Sequence, residues 1–229
     1  MKSAGEANTF LGRIALALLV FTISAFGLKV AVQPETFERY TPIVIFHAVA
    51  MIAWLSLLAS QSYLAARGSF ELHRAFGRAS PFLVLAMVGS GVLISFGIGA
   101  ELGRYEVTVV NVAAFVTFTP LYLVAVHFAR QGKIHIHRQA MLIGTLALMT
   151  PAYARIVQVA GLPDPLAIVM QLPITIALAS WFDWKVLGRI SKPVLAMLAF
   201  SIAVIGAMGA VLVVFFLPAL IAQIEAASA

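Results

Sequence analysis

Seven apolar runs divide the chain, at approximately 11–32, 42–65, 81–100, 107–129, 139–160, 165–187 and 194–221. Each is near the ~20 residues that carry an α-helix across a bilayer. The runs are continuously apolar over that length, whereas barrel strands alternate over about ten residues, so the pattern predicts helices. The connections are too short to hide a soluble domain. The expected architecture is therefore all-α, a single integral membrane bundle of about seven transmembrane helices spanning 1–229. The first run follows Lys2 and Arg13, as in a signal peptide. It is long and lacks a small-residue cleavage site, so a retained first helix is expected.

Composition agrees with this pattern. Hydrophobic residues make up 62% and charged residues 10% of 229, and mean hydropathy is +1.01. Soluble domains carry roughly a quarter charged residues. The absence of cysteine excludes disulfides, thiolate metal sites and cysteine nucleophiles. The formal charge of +6 would suit nucleic acid, but its placement argues for membrane topology. Lys2, Arg13, Arg67, Arg74, Arg78, Arg130, Lys133, Arg138, Lys185, Arg189 and Lys192 all fall at the amino terminus or in the loops after runs two, four and six. That set is 11 of the 15 basic residues. The positive-inside rule places the amino terminus in the cytoplasm and the carboxyl terminus outside. The expected location is the bacterial cytoplasmic (inner) membrane, with the lipid bilayer as partner. No basic patch stands apart from the membrane-flanking loops, so no nucleic-acid partner is expected. Oligomeric state leaves no mark in the sequence.

Two loops share an outline. "ARGSFELHRAFGR" (66–78) and "ARQGKIHIHRQAM" (129–141) both run from Ala-Arg through a glycine to His-Arg. "TPIVIFH" (41–47) and "TPLYLVAVH" (119–127) precede them, with Thr-Pro to His spacings that differ by two residues. The outline predicts a parallel duplication of a helical hairpin. The plainest role for the His-Arg pairs is interfacial anchoring, with Arg74 and Arg138 on phosphate head groups and the histidines half-solvated.

Polar groups inside the runs are costly and therefore informative. His47, Trp54 and Gln61 recur every seven residues on the second helix, which stacks them on one face. Near the outer side, His47, Asn111, Tyr153, Arg155 and Gln171 are expected to form a polar pocket, with His47 and Arg155 steadying an anionic or redox group. Near the cytoplasmic side, His73, His127, His135, His137, Gln61 and Asp183 are candidates for a second cluster. Two imidazoles from facing segments could take both axial positions of a haem b iron, and His73, His127 and His137 are the ligand candidates. A di-iron site needs more than the five histidines present. Pro120, Pro151 and Pro173 fall within runs four, five and six, where proline frees backbone carbonyls.

His47, "HRAFGR" at 73–78, "HRQAM" at 137–141 and the following Arg155 resemble a bacterial family of predicted multipass membrane proteins of unknown function. The resemblance covers roughly 42–155, and Ala140 stands where an aromatic often precedes the methionine. It implies a multipass architecture and points to His47, His73, His137 and Arg155, without implying a reaction or cofactor. The sharpest functional expectation is b-type haem or quinone-linked electron transfer in the membrane. A small-molecule or lipid-binding membrane protein or carrier is the competing class, and an assembly or scaffold subunit without a site is a third.

Overall fold

The computed structural model describes residues 2–218. They form eight α-helices and one short 3-10 turn, with no strand among the described residues. The α-helices are α1 (Ala4–Val32), α2 (Pro42–Ala66), α3 (Phe70–Leu102), α4 (Tyr105–Arg130), α5 (Ile134–Ala147), α6 (Thr150–Val159), α7 (Pro165–Leu187) and α8 (Lys192–Phe215). Treating α5 and α6 as one span, seven segments are long and apolar enough to cross a membrane. This is the expected all-α multipass bundle. The end of the seventh expected run, beyond residue 218, lies outside the described residues.

Two boundaries differ from the sequence pattern. α3 begins at Phe70, eleven residues before Pro81, so the polar stretch carrying His73 and Arg74 is helical. Pro81 sits inside that helix, and its missing N–H would leave the Gly77 carbonyl without its usual partner. The Ser80 hydroxyl donates to that carbonyl at 2.8 Å, so the helix runs on. The fifth run is broken instead, with α5 ending at Ala147 and α6 starting at Thr150. Pro151 removes the donor for the Ala147 carbonyl, and here no hydroxyl on the same helix replaces it.

Capping marks the first helix. The Ser3 hydroxyl accepts from the Glu6 N–H at 3.2 Å, while the Ser3 N–H donates to Glu6 Oε2 at 2.8 Å. This reciprocal box satisfies two N–H groups that a helix start leaves free. α1 packs along α2 and also meets α6.

The α5–α6 span is the centre of the bundle. In its most apolar window 72% of residues are buried, against 17–33% in the other six spans. The other spans turn a face outward to lipid, which explains exposed Phe82, Leu85 and Leu93 on α3 and Val214 and Phe215 on α8. Trp54 lies at the core, 2% exposed. Its indole N–H donates to Thr145 Oγ1 at 3.2 Å, and its ring meets Phe118 edge-on at 5.1 Å. The His47, Trp54 and Gln61 stripe therefore runs along the inward side of α2.

The α2–α3 and α4–α5 turns share one backbone geometry. Arg67 and Gln131 donate to Tyr63 and His127 O at 3.0 and 3.3 Å, and Ser69 and Lys133 donate to Leu64 and Phe128 O, both at 2.9 Å. Between them Gly68 and Gly132 adopt φ of 76° and 72°, a left-handed conformation that costs glycine nothing. The register between the turns is 64 residues, which pairs His73 with His137 and His47 with Asn111. The Thr-Pro pairs do not share this register. Thr41-Pro42 opens α2, whereas Thr119-Pro120 lies within α4.

Candidate functional site

At the histidine-rich end of the bundle, His73 and His137 are each the fourth residue of their helix. His73 Nδ1 lies 3.2 Å from the Gln61 carbonyl, and His137 Nδ1 lies 3.0 Å from the Ala125 carbonyl, each partner twelve residues earlier. A carbonyl oxygen only accepts, so Nδ1 carries the proton and Nε2 keeps a free lone pair. α3 packs on α4 and α4 on α5, so both rings lie at one end of the bundle. The matched turns thus present two like imidazoles in one region.

His127 is different. It is exposed in the last turn of α4, its Nε2 faces Gln131 Nε2 at 2.8 Å, and its ring packs on Phe128. Gln61 meets His73 only through its backbone, and its side-chain Nε2 is buried without a partner among the described residues. Arg138 also departs from its expected role on a phosphate head group. It is buried, donating from Nε to Asn8 Oδ1 at 2.6 Å and from Nη2 to Ala4 O at 3.1 Å. The amino-terminal turn of α1 covers the start of α5, so the guanidinium is used inside the protein. Arg74 stays exposed.

Beside this pair lies a second polar group. Asp183 on α7 is fully buried. It accepts from Gln139 Nε2 at 3.0 Å and from the Ser191 N–H at 2.5 Å, and His135 Nε2 stands 2.5 Å from its Oδ1. Asp183 and His135 belong to the cluster expected at this end, and Gln139 joins them only in the folded structure. The available signal was spacing, because residues 135 and 139 are one turn apart on one helix face.

At the opposite end, the expected pocket separates into three parts. His47 Nδ1 reaches the Met87 carbonyl at 3.1 Å and Ser90 Oγ at 3.0 Å, both on α3. Its ring lies against Gly91, where a Cβ would come within 2.8 Å of His47 Cε1 and 2.4 Å of Phe115 Cζ. Arg155 instead donates to Gln158 Oε1 at 3.1 Å and stacks its guanidinium 5.1 Å from the Phe26 ring. Gln171 turns to the helix break. Its Nε2 donates to the Ala147 carbonyl at 2.9 Å, and its Oε1 accepts from the Thr150 hydroxyl. It supplies across the bundle the donor that Pro151 lacks, so the carbonyl freed by proline is taken by protein. Tyr153 is buried against Phe21. His47 and Arg155 share no hydrogen-bond partner among the described residues because their anchoring groups lie on different helices.

Arg155 leads instead into a surface chain. Gln158 Nε2 donates to Asp164 Oδ1 at 3.0 Å, and Arg104 bridges Asp164 and Glu106 at 3.0 and 2.9 Å. Burial pushes the Asp164 carboxyl upward, but hydrogen bonds from Arg104 and Gln158 and the nearby guanidinium charges outweigh it. The net result holds Asp164 below the usual carboxylate range. The Arg104 guanidinium is raised by its hydrogen bonds to Glu106 and Asp164. A lowered carboxylate stabilises the fold above its unfolded-state range and loses that contribution as pH falls through its folded value. Acidification below about pH 4 should therefore lower the melting temperature more in the wild type than in Asp164→Asn. The difference should be small, under about 1 kcal/mol, because such exposed pairs are screened by water. Equal acid sensitivity in both proteins would remove Asp164 from the account.

A narrow cleft lies beside the break, with room for little more than one water, about 20 Å³. Thr117, Gln171, Thr175 and Ser201 contribute its polar groups, and Val110, Leu172, Ile205 and Met208 its apolar wall.

Fold and site together define a seven-span helical membrane protein with paired histidines at one end and a broken central span. No protein-family model, curated protein or solved structure matches the chain.

Proposed function

We propose that this chain is a redox-active multipass protein of the bacterial cytoplasmic membrane, in which His73 and His137 would hold a b-type haem. The observation that carries the reading is the like presentation of the two imidazoles. Each Nδ1 is held by a carbonyl twelve residues earlier, and each Nε2 has no hydrogen-bond partner among the described residues. A histidine that holds haem iron would need a free Nε2 and a fixed orientation, and a carbonyl accepting from Nδ1–H favours both. His127 does not fit this requirement, since Gln131 faces its Nε2. His47 has the right tautomer but stands at the other end with no second histidine. Haem bound between the pair would supply one-electron transfer.

The chain's own part is to fix the rings at the starts of α3 and α5. Exposed Arg74, Arg78, Arg130 and Lys133 border the same turns. They bring positive charge suited to propionates or anionic lipid head groups. Their position also supports a cytoplasmic location for this end by the positive-inside rule. A quinone dissolved in the bilayer is the electron partner this reading implies.

Purified after expression with ample haem supply, the protein should give b-type bands in a reduced-minus-oxidised visible spectrum. His73→Ala and His137→Ala should each abolish or shift them, while His127→Ala and His135→Ala should leave them in place. A wild-type protein without bands would end the haem reading.

The broken central span favours a second reading, a small-molecule or lipid-binding membrane protein or carrier. Carriers place discontinuous helices where a substrate binds, and the α5–α6 break beside the cleft at Gln171 and Thr175 has that form.

A further inference from the structure

We propose that the cleft beside the α5–α6 break binds one dehydrated monovalent cation, held by oxygens of Thr117, Gln171, Thr175 and Ser201. The site gives a ligand class to the binding-protein or carrier reading, and it rests on that reading for the break as the place of binding, though not for transport. The histidine pair plays no part in it.

Four polar side chains from three helices meet at the cleft. Thr117 comes from α4, Gln171 and Thr175 from α7, and Ser201 from α8. They are 3%, 8%, 4% and 3% exposed, on helices apolar enough to cross a membrane. Hydroxyl and amide groups so deeply buried are normally hydrogen-bonded. The Thr175 hydroxyl makes no hydrogen bond among the described residues, and it lines the cleft.

The other three groups have already committed protons to the backbone. The Thr117 hydroxyl donates to the Ala113 carbonyl at 2.9 Å, and the Ser201 hydroxyl to the Met197 carbonyl at 3.0 Å. The Gln171 amide donates to the Ala147 carbonyl at 2.9 Å. What these groups have left to offer is oxygen lone pairs. A water has two protons and would leave one of three acceptors unmet, whereas a cation attracts all of them at once. The Thr175 hydroxyl is free to turn its own lone pair inward as a fourth oxygen.

Charge and size fix the class of ion. Ala147, the last residue of α5, lines the cleft, and no α6 residue does. A helix carboxyl end carries partial negative charge, and discontinuous membrane helices hold cations at such ends. No acidic side chain lines the cleft, which disfavours divalent ions, since these draw on carboxylates. With room for little more than one water, the cleft admits an ion only without its hydration shell. The four oxygens then stand in for that shell, as carbonyl oxygens do in a channel filter.

Hydrogen exchange of the full-length protein in lipid nanodiscs tests the site. It is followed in sodium chloride, in potassium chloride and in N-methylglucamine chloride of equal ionic strength, whose cation is too large for the cleft. At least one alkali salt should slow exchange of amides 145–153, by about tenfold where the salt stands at roughly ten times its dissociation constant. Thr175→Val keeps the side-chain shape and removes a hydroxyl that bonds to nothing in the protein, so it should fold and lose most of the slowing. Ser201→Ala should lose it as well. Equal exchange in all three salts would overturn the proposal, and so would slowing that persists in both variants. Solute uptake that needs Gln171 alongside salt-independent exchange would remove the cation site and leave the carrier. Alkali-specific slowing without any solute uptake would remove the carrier and leave the site.

Discussion

Trp54→Ala should lower the unfolding free energy by about 3 kcal/mol, near the low end for truncating a buried tryptophan in a soluble core. Trp54 is 2% exposed, and its ring touches Phe118 and Tyr122 edge-on. In a bilayer the displaced chain still sits among apolar tails, so helix association rests on packing rather than on transfer from water. What the substitution removes is therefore contact with neighbouring atoms, leaving a cavity between α2, α4 and α5. It also strips the Thr145 hydroxyl of its indole donor. Trp54→Phe restores one aromatic ring and omits the donor and the second ring, so it should recover part of the loss. Denaturant titration in mixed micelles measures both. A Trp54→Ala loss below about 1 kcal/mol would show a core that collapses into the space or packs less tightly than the geometry implies.

Gln171→Leu should cost about 2 kcal/mol, because it orphans the Ala147 carbonyl and the Thr150 hydroxyl in the most buried span. The cost has a specific remedy. Pro151 is the reason the carbonyl lacks its usual donor, so Pro151→Ala returns an N–H at that position and should make Gln171→Leu less costly. Hydrogen exchange of amides 145–153 should quicken in Gln171→Leu alone and slow again in the double variant. Purely additive stabilities would mean that the two residues do not serve one carbonyl. If the chain is a carrier working at the break, solute uptake into liposomes should fall in Gln171→Leu. Haem bands at the distant histidine pair should persist in that variant.

Individual residues show why some features were legible in advance and others were not. The spans follow from hydropathy, because an uninterrupted apolar run of bilayer length has few alternatives. His73 and His137 stood out because both begin polar His-Arg stretches in similar surroundings. Pro81 and Pro151 look alike as sequence, each following a hydroxyl residue in an apolar run. Ser80 bonds back to Gly77, while Thr150 turns across to Gln171, so one helix continues and the other breaks. Arg138 reads as an interfacial cation until α1 is laid over it. The outer pocket grouped residues of similar depth, but depth says nothing about rotation around a helix axis. His47 faces α3, and Arg155 faces Phe26 and Gln158.

The sequence by itself determined that the chain is an all-α bundle with seven segments long and apolar enough to cross a membrane. Composition and run length are one-dimensional quantities, and the bilayer penalises every other arrangement of the backbone. Tertiary structure decided which polar groups meet. Asp183 and His135 are separated by almost fifty residues, yet come within 2.5 Å, and only the packing of α7 against α5 creates that pair. Helical periodicity places side chains on faces, but the choice of facing neighbour belongs to the folded bundle.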